Sequence, residues 1–263
     1  MKTVVITGAN GGMGKATTTL LKEKGYKIFA LDKNIDNPID NVEYIVTDVT
    51  DIQSIKSAFE RIKSQTESID AILHFAGIYM LDSFIEIDET SLKKIFDVNF
   101  FGVCLINKTF LPLLKRGSKI LITTSELAPL DPLPFTGIYA VSKSTLDKYA
   151  YSLKMELQLL GISVSVLRAG AVSTEMLGVS TSSLDRFCAK TELYTCNAKR
   201  FKKIVDSVEA KHISPNKIAV KTDKILKKKK PKFIYNINRN PLLRLLNFMP
   251  KRFQFWVIKR ILR

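Results

Sequence analysis

Three β-branched residues, Val4-Val5-Ile6, run directly into Thr7-Gly8-Ala9-Asn10-Gly11-Gly12-Met13-Gly14, and a helical pattern begins at once. Few local features restrict a fold so strongly. Glycines between a strand and a helix let the backbone turn tightly and leave the helix N–H groups open, a place where the helix dipole favours an anion such as pyrophosphate. A GxxxxGK[ST] phosphate loop is the nearest rival. It needs Gly five residues before Gly14 and Ser or Thr after Lys15, and Ala9 and Ala16 stand there.

The pattern then repeats without the glycines. Lys27–Leu31, Tyr44–Val46, Ala71–Leu73, Ile120–Ile122 and Val164–Leu167 read as buried strands. Helical periods over 13–24, 51–65, 90–114 and 139–160 lie between them, with Thr50 and Gln53 as a capping pair for the second. Ser214-Pro215 opens a further helix, and Phe233-Ile234-Tyr235 is a candidate seventh strand. Alternation of this kind predicts an α/β protein, a single doubly wound parallel sheet of about seven strands with helices on both faces. No internal repeat is visible.

Asp32 ends the second strand, 18 residues past Gly14. A carboxylate there accepts hydrogen bonds from an adenosine ribose 2′-OH and repels a 2′-phosphate, which points to NAD rather than NADP. Lys33 is a cation able to offset part of that repulsion.

The chain of 263 residues carries a net charge of +16, unevenly placed. From Lys221 onward there are 14 Lys/Arg and one acid, Asp223, whereas the preceding 220 residues have a net charge of only +3. A lysine run without a recognised binding module or stacking-aromatic platform gives no nucleic-acid site. Three cysteines and two histidines lack metal-ligand spacing and suit a reducing compartment. No apolar run approaches the ~18 residues of a spanning helix, and Met1-Lys2 followed by Thr3–Ile6 lacks the order of a signal peptide. The expected location is cytoplasmic.

Tyr139-Ala140-Val141-Ser142-Lys143 starts a long helical pattern and places Tyr139 and Lys143 one turn apart on one face. A phenol with a pKa of about 10 is a poor base at neutrality, and a neighbouring ammonium lowers that value. Together, Thr7-Gly8-x-x-x-Gly12-x-Gly14 and Tyr139-x-x-x-Lys143 resemble the short-chain dehydrogenases/reductases, over roughly residues 2–237. Asp48-Val49 is similar to the stretch whose acid contacts the adenine in that family. Phe75-Ala76-Gly77 stands at its Asn-Ala-Gly position, and Ala169–Thr174 resembles its Pro-Gly-x-Val/Ile-x-Thr stretch beside the nicotinamide.

The resemblance implies a Rossmann-type NAD(P)-binding domain over 1–240 and a set of roles. Tyr139 exchanges the hydroxyl proton, Ser125 hydrogen-bonds the substrate oxygen, Lys143 holds the nicotinamide ribose, and Asn99 holds a water in a proton relay. Gly8, Asn10, Gly12, Met13, Gly14, Asp32, Asp48, Val49, Ala76, Gly77, Val172 and Thr174 are the implied cofactor contacts, with Tyr139 and Lys143. The sequence departs from the family pattern in three places. Ser125 precedes Tyr139 by 14 residues where 13 is usual, which implies an insertion near Asp131. Phe75 replaces an asparagine, and Ala169 a proline.

Residues 174–212 form a polar, mixed stretch beyond the sixth strand and are expected to act as a substrate lid. Leu81, Phe84, Leu127, Leu133, Phe135, Met176 and Leu177 are expected around the cleft, which favours a lipophilic alcohol or ketone in the manner of the hydroxysteroid and retinol dehydrogenase branch. The alternatives are an NADPH-dependent reductase of acyl or sphingoid ketones and a non-catalytic dinucleotide-sensing scaffold. The resemblance also implies a homodimer or homotetramer through 90–114 and 139–160. Residues 241–263 read as a basic amphipathic helical extension, with Phe253, Phe255, Val257, Ile258, Ile261 and Leu262 on one face and Trp256 at its edge. That face suits either an anionic membrane or packing over the active-site mouth or a partner subunit.

Overall fold

The computed structural model describes residues 1–207 and 212–263; side chains at 175, 177, 179–181 and 207 also lie outside the description. Seven strands, β1 Thr3–Thr7, β2 Lys27–Asp32, β3 Glu43–Val46, β4 Ile69–His74, β5 Leu114–Ser125, β6 Ser163–Ala169 and β7 Ile234–Ile237, form one sheet in the order β3-β2-β1-β4-β5-β6-β7. Every pairing is parallel. The order reverses between β1 and β4, which opens a crevice at their carboxyl ends.

Strand residues alternate faces. Val4 and Ile6 pack with Leu21, Ile218 and Ile225 from α1 (Gly12–Glu23) and α8 (Pro215–Leu226). Val5, Phe29 and Leu31 meet Ile55 and Ile62 of α2 (Ile52–Lys63) and Ile106 of α4 (Gly102–Phe110) on the opposite side. Ile120, Ile122, Val164 and Val166 meet Leu146 and Ala150 of α5 (Gly137–Leu157). Both faces are covered, which is why these strands read as continuous apolar runs.

Several expectations need revising. The second helix is capped by Asp51, whose side chain accepts from Gln53 N–H, while the Thr50 hydroxyl turns back to Asp48. A carboxylate one residue later is the better acceptor. The helix expected over 90–114 comprises α3 (Glu89–Phe96), a π-helical turn Asp97–Phe101, α4 and a 3-10 turn at Leu111–Leu113. Taken as one helical stretch, Glu89–Leu113 has the length and mean hydropathy of a spanning segment. Its Ile95, Val103, Ile106 and Phe110 are buried in this domain, so it is a core element here. The seventh strand starts one residue later than expected. Within 174–212 the chain forms α6 (Glu175–Lys190) and α7 (Thr195–Ser207) where an irregular stretch was expected; residues 208–211 of the expected lid and the Leu177 side chain fall outside the description. Leu184, Phe187, Ala198 and Phe201 of these helices close on Leu81 and Phe135, so the last two pack the lid helices. Glu86 pins the junction of α6 and α7, accepting from the Thr191 hydroxyl (2.6 Å), Glu192 N–H and Leu193 N–H.

The C-terminal extension forms α9 (Pro241–Phe248), capped by the Asn240 side chain, and α10 (Lys251–Leu262). It folds back on its own subunit: Asn197 Nδ2 donates to Leu262 O at 2.7 Å, and Asp131 N–H donates to Asn247 Oδ1 at 2.8 Å. Lys251 pairs with Asp131. The inward face of α10 carries Gln254, Ile258 and Leu262, whereas Phe253, Phe255 and Ile261 of the expected face are 45–68% exposed. Gln254 takes an inner position because its amide satisfies Met249 O at 2.8 Å.

His74, at the end of β4, is fully buried, and its Nε2–H donates to Asn107 Oδ1 (2.9 Å). Asn107 Nδ2 in turn donates to the Tyr149 hydroxyl (3.2 Å). Burial pushes the imidazole pKa down to about 4. The unfolded chain therefore takes up a proton near pH 6.5 that the folded chain refuses until about pH 4, and stability falls as pH drops through that window. The full effect is about 3 kcal/mol. Urea unfolding of wild type and His74→Gln between pH 7 and 4 is expected to show this loss in wild type and a flatter profile in the variant.

Candidate active site

The glycine loop leaves β1 and crosses the end of β4. Gly8 is left-handed (φ +67), and a Cβ there would fall 2.4 Å from Ala76 N. At Gly14 a Cβ would lie 1.9 Å from Gly8 O, and at Gly12 2.5 Å from Thr174 Cγ2. Side chains are thus excluded on both walls, by the β4 end and by the β6–α6 connection. Helix α1 starts at Gly12 with no side-chain cap and no acid in its first turn. Its open N–H groups and the side-chain-free approach fit a pyrophosphate. Met13 is partly buried, its side chain packed against the core.

Asp32 Oδ2 accepts from Asn10 N–H at 2.8 Å, tying the acid at the β2 end to the loop. Lys33 Nζ pairs with Asp48 Oδ2 at 2.7 Å, and Asp48 Oδ1 accepts from Thr50 N–H and the Thr50 hydroxyl. The Lys33 hydrogen bond is the largest influence on Asp48, holding its carboxyl at about 2. The cation expected to offset repulsion at Asp32 is therefore engaged by a neighbouring carboxylate. Val49 packs beside Ile45 and Ile55, and Gly102 is small because a Cβ there would meet Val49 Cγ2 at 2.9 Å. Val172 is buried and bridges Ile213. Thr174 precedes α6 with its hydroxyl 3.5 Å from Val172 O.

Ser125 ends β5 and Tyr139 lies in the first turn of α5. The two are hydrogen-bonded despite the 14-residue spacing, and the connection between them carries turns at 126–129 and 134–136. Thr124 instead points to Asp147, its hydroxyl donating at 3.2 Å. Asp147 also receives Arg168 Nε (3.0 Å) and Nη2 (2.6 Å), a bidentate pair that locks α5 onto β6.

Lys143 Nζ lies 5.8 Å from the Tyr139 ring centroid. Burial lowers the Lys143 pKa to about 8. The Tyr139 phenol is raised above its ordinary value by desolvation, opposed by the Ser125 hydrogen bond and supported slightly by Tyr79. The lowered phenol expected from the Tyr-Lys pair is thus outweighed here by desolvation of the phenol. Asn99 is fully buried in the π turn. Its Oδ1 accepts from Ile78 N–H (2.8 Å), and its Nδ2 donates to Ile78 O (3.0 Å) and to the Ser142 hydroxyl (3.1 Å). A Cβ on Gly77 would lie 3.2 Å from both Asn99 Oδ1 and Lys143 Nζ, so Gly77 keeps a gap between them.

Sequence reading missed two contributors. Tyr79 packs its ring 4.8 Å from that of Tyr139. Ser142 orients Asn99. The packing environment that the sequence offered for the extension's apolar face takes the form of a wall that α9 and α10 raise against the 127–136 loop.

The family described as short chain dehydrogenase matches residues 2–185. A 3-ketodihydrosphingosine reductase of Bacteroides thetaiotaomicron is 26% identical over 92% of this chain and 89% of its own length. Estradiol 17-beta-dehydrogenase 2 of Mus musculus is 30% identical over 67% of this chain and 50% of its own. A short chain dehydrogenase family protein from Francisella tularensis has the same fold, with a TM-score of 0.75 at 24% identity over 90% of this chain and 97% of that one. A glycine loop feeding α1, a Tyr-Lys pair one turn apart on α5 and a match across most of the chain lead to one conclusion: this chain belongs to the short-chain dehydrogenases/reductases, oxidoreductases that use a nicotinamide dinucleotide.

Proposed function

We propose that the protein transfers a hydride between NAD and the hydroxyl or carbonyl carbon of a lipophilic substrate. The observation that carries this reading is the convergence of Ser125, Tyr139, Lys143 and Asn99 beside the glycine loop. The nicotinamide, when bound, supplies the hydride chemistry. Ser125 hydrogen-bonds the substrate oxygen and offsets charge that develops on it. Tyr139 passes the hydroxyl proton; its raised pKa suits it to donate to a carbonyl oxygen unless the Lys143 ammonium draws closer. Lys143 holds ribose hydroxyls. A water in the gap at Gly77 would bond Lys143 Nζ and the remaining lone pair of Asn99 Oδ1, carrying the proton outward.

The first-named relative, a ketone reductase in the sphingoid series, favours a second reading of the same site as a reductase of long-chain ketones. Absorbance assays with hydroxysteroids, retinoids, long-chain alcohols and ketones, and small sugars are expected to show turnover of lipophilic members only. Tyr139→Phe is expected to lower kcat/KM by about 10²–10⁴ while cofactor binding persists. Turnover confined to sugars, or full activity in the folded variant, contradicts the proposal.

Cofactor choice rests on Asp32, whose second carboxylate oxygen can receive ribose hydroxyls, with Lys33 held by Asp48. NADH is expected to support turnover better than NADPH. Asp32→Ala is expected to narrow that preference by about tenfold or more, as the ratio of kcat/KM values for the two cofactors records.

The extension also supports a peripheral membrane contact. Leu242, Leu245, Phe248, Phe253 and Trp256 are 45–81% exposed, and 241–263 holds six Lys/Arg and no acid. Apolar side chains and cations of that kind suit an anionic bilayer surface. Exposed Phe101, Tyr151 and Met155 on the outer sides of the π turn and α5 suit pairing of subunits there. The protein is expected to sediment with phosphatidylglycerol vesicles at low salt. The Leu245→Glu, Phe248→Glu, Trp256→Glu triple variant is expected to remain in the supernatant.

A further inference from the structure

A cavity of about 310 Å3 lies between the 127–136 loop, the first turn of α5, and helices α9 and α10. Leu127, Leu130, Leu133, Leu243, Leu246 and Ile258 dominate its wall. None of Ser125, Tyr139, Lys143 or the glycine loop lines it, so it is a chamber beside the catalytic centre. Its inner wall is nevertheless continuous with that centre: Leu127 N–H donates to Ser125 Oγ at 3.2 Å, and Ala140 follows Tyr139 directly. The outer wall is entirely the C-terminal extension.

Several polar groups around the chamber are already engaged. Asn247 Oδ1 takes the Asp131 N–H, Lys251 pairs with Asp131, and Gln254 Nε2 donates to Met249 O. These bonds leave the aliphatic wall as the main recognition surface, and an occupant needs no polar group at this depth. At its outer end stands Phe255, which lines the cavity while 68% exposed, so the chamber reaches the surface beside the exposed apolar side chains of the extension.

We propose that this chamber is a binding site for the alkyl chain of an amphiphile, with α9 and α10 as its specificity-determining wall. The inference rests on the reading of a lipophilic substrate and adds where a chain is held and by which residues. A volume of this size is at the lower end for small-molecule sites and suits a chain better than a fused ring system. Each methylene that leaves water here strengthens binding roughly fourfold. The chain can belong to the substrate itself or to a membrane lipid.

The probe for the test is 11-(dansylamino)undecanoic acid, titrated by fluorescence into the full-length protein without cofactor. Wild type is expected to bind it saturably. Leu246→Trp and Leu243→Trp, each checked for an unchanged thermal midpoint, fill the chamber and are expected to weaken binding tenfold or more. Wild type without saturable binding, or equal affinity in wild type and both folded variants, overturns the proposal. Two further arms identify the source of the chain. If it is the substrate's, kcat/KM rises from 2-butanol to 2-tridecanol, and both variants lose that rise while keeping 2-butanol turnover. If it is a lipid's, kinetics are insensitive to chain length and phosphatidylglycerol vesicles displace the probe. Chamber-dependent probe binding by a protein that oxidises or reduces no lipophilic compound upholds the chamber and removes the substrate reading alone.

Discussion

An all-parallel sheet delivers every strand's carboxyl end to one edge, and the site depends on that constraint. Gly8 after β1, Asp32 at the end of β2, Gly77 after β4, Ser125 at the end of β5 and Val172 after β6 are far apart in sequence. They meet because each crossover helix returns the chain to the opposite edge before the next strand begins. Backbone contact then sets tolerances that no side chain can relax. Gly8 against Ala76, Gly14 against Gly8, and Gly12 against Thr174 bring the loop, β4 and the lid's root within van der Waals distance of one another. A single methyl at any of these positions would separate elements that pack directly on one another.

Within that frame, burial sets the proton affinities of Tyr139 and Lys143. Desolvation drives both the Lys143 ammonium and the Tyr139 phenolate toward their neutral forms, so the ammonium is held at about 8 and the phenol above its ordinary range. The Ser125 hydrogen bond is the local force in the other direction. The buried Arg168–Asp147 pair keeps α5 from shifting against β6, and the Asn99–Ile78 bonds fix the chain that carries Tyr79 and Gly77. Proton affinity at this site is thus a property of how α5 is seated, and ligands that add polar atoms next to Lys143 change it directly.

Much of this was legible in the chain. Strands buried on both faces announce themselves as apolar runs, and glycines forced by backbone contact leave a fixed spacing. The misreadings have local causes. Thr50 was a plausible cap until Asp51, one residue on, offered a charged acceptor. The π turn around Asn99 has the same composition as the helix it interrupts, and only the tertiary bonds to Ile78 and Ser142 reveal it. Lys33 could be assigned a partner only once β2 and β3 were set in register, which brings Asp48 alongside. Residues 174–212 looked irregular because their apolar positions are sparse, yet four of them suffice to build α6 and α7 onto Leu81 and Phe135.

The extension gives the strongest case of composition understating structure. Its helical period gave the last segment one apolar face, suited to a membrane or to packing on the protein. The structure divides the apolar residues of the whole extension: Leu243, Leu246 and Ile258 turn toward the domain, while Leu245, Phe248 and Trp256 face outward. An amphipathic helix with cations on its polar side needs only one apolar surface to sit on a membrane. Here there are two apolar surfaces, one lining a chamber beside Ser125 and Tyr139 and the other exposed, so a single amphipathic face does not describe the extension. Gln254 fits that account. The Gln254 amide in the inner row donates to Met249 O and Asn247 O, which offsets part of its burial cost and joins α10 to the end of α9.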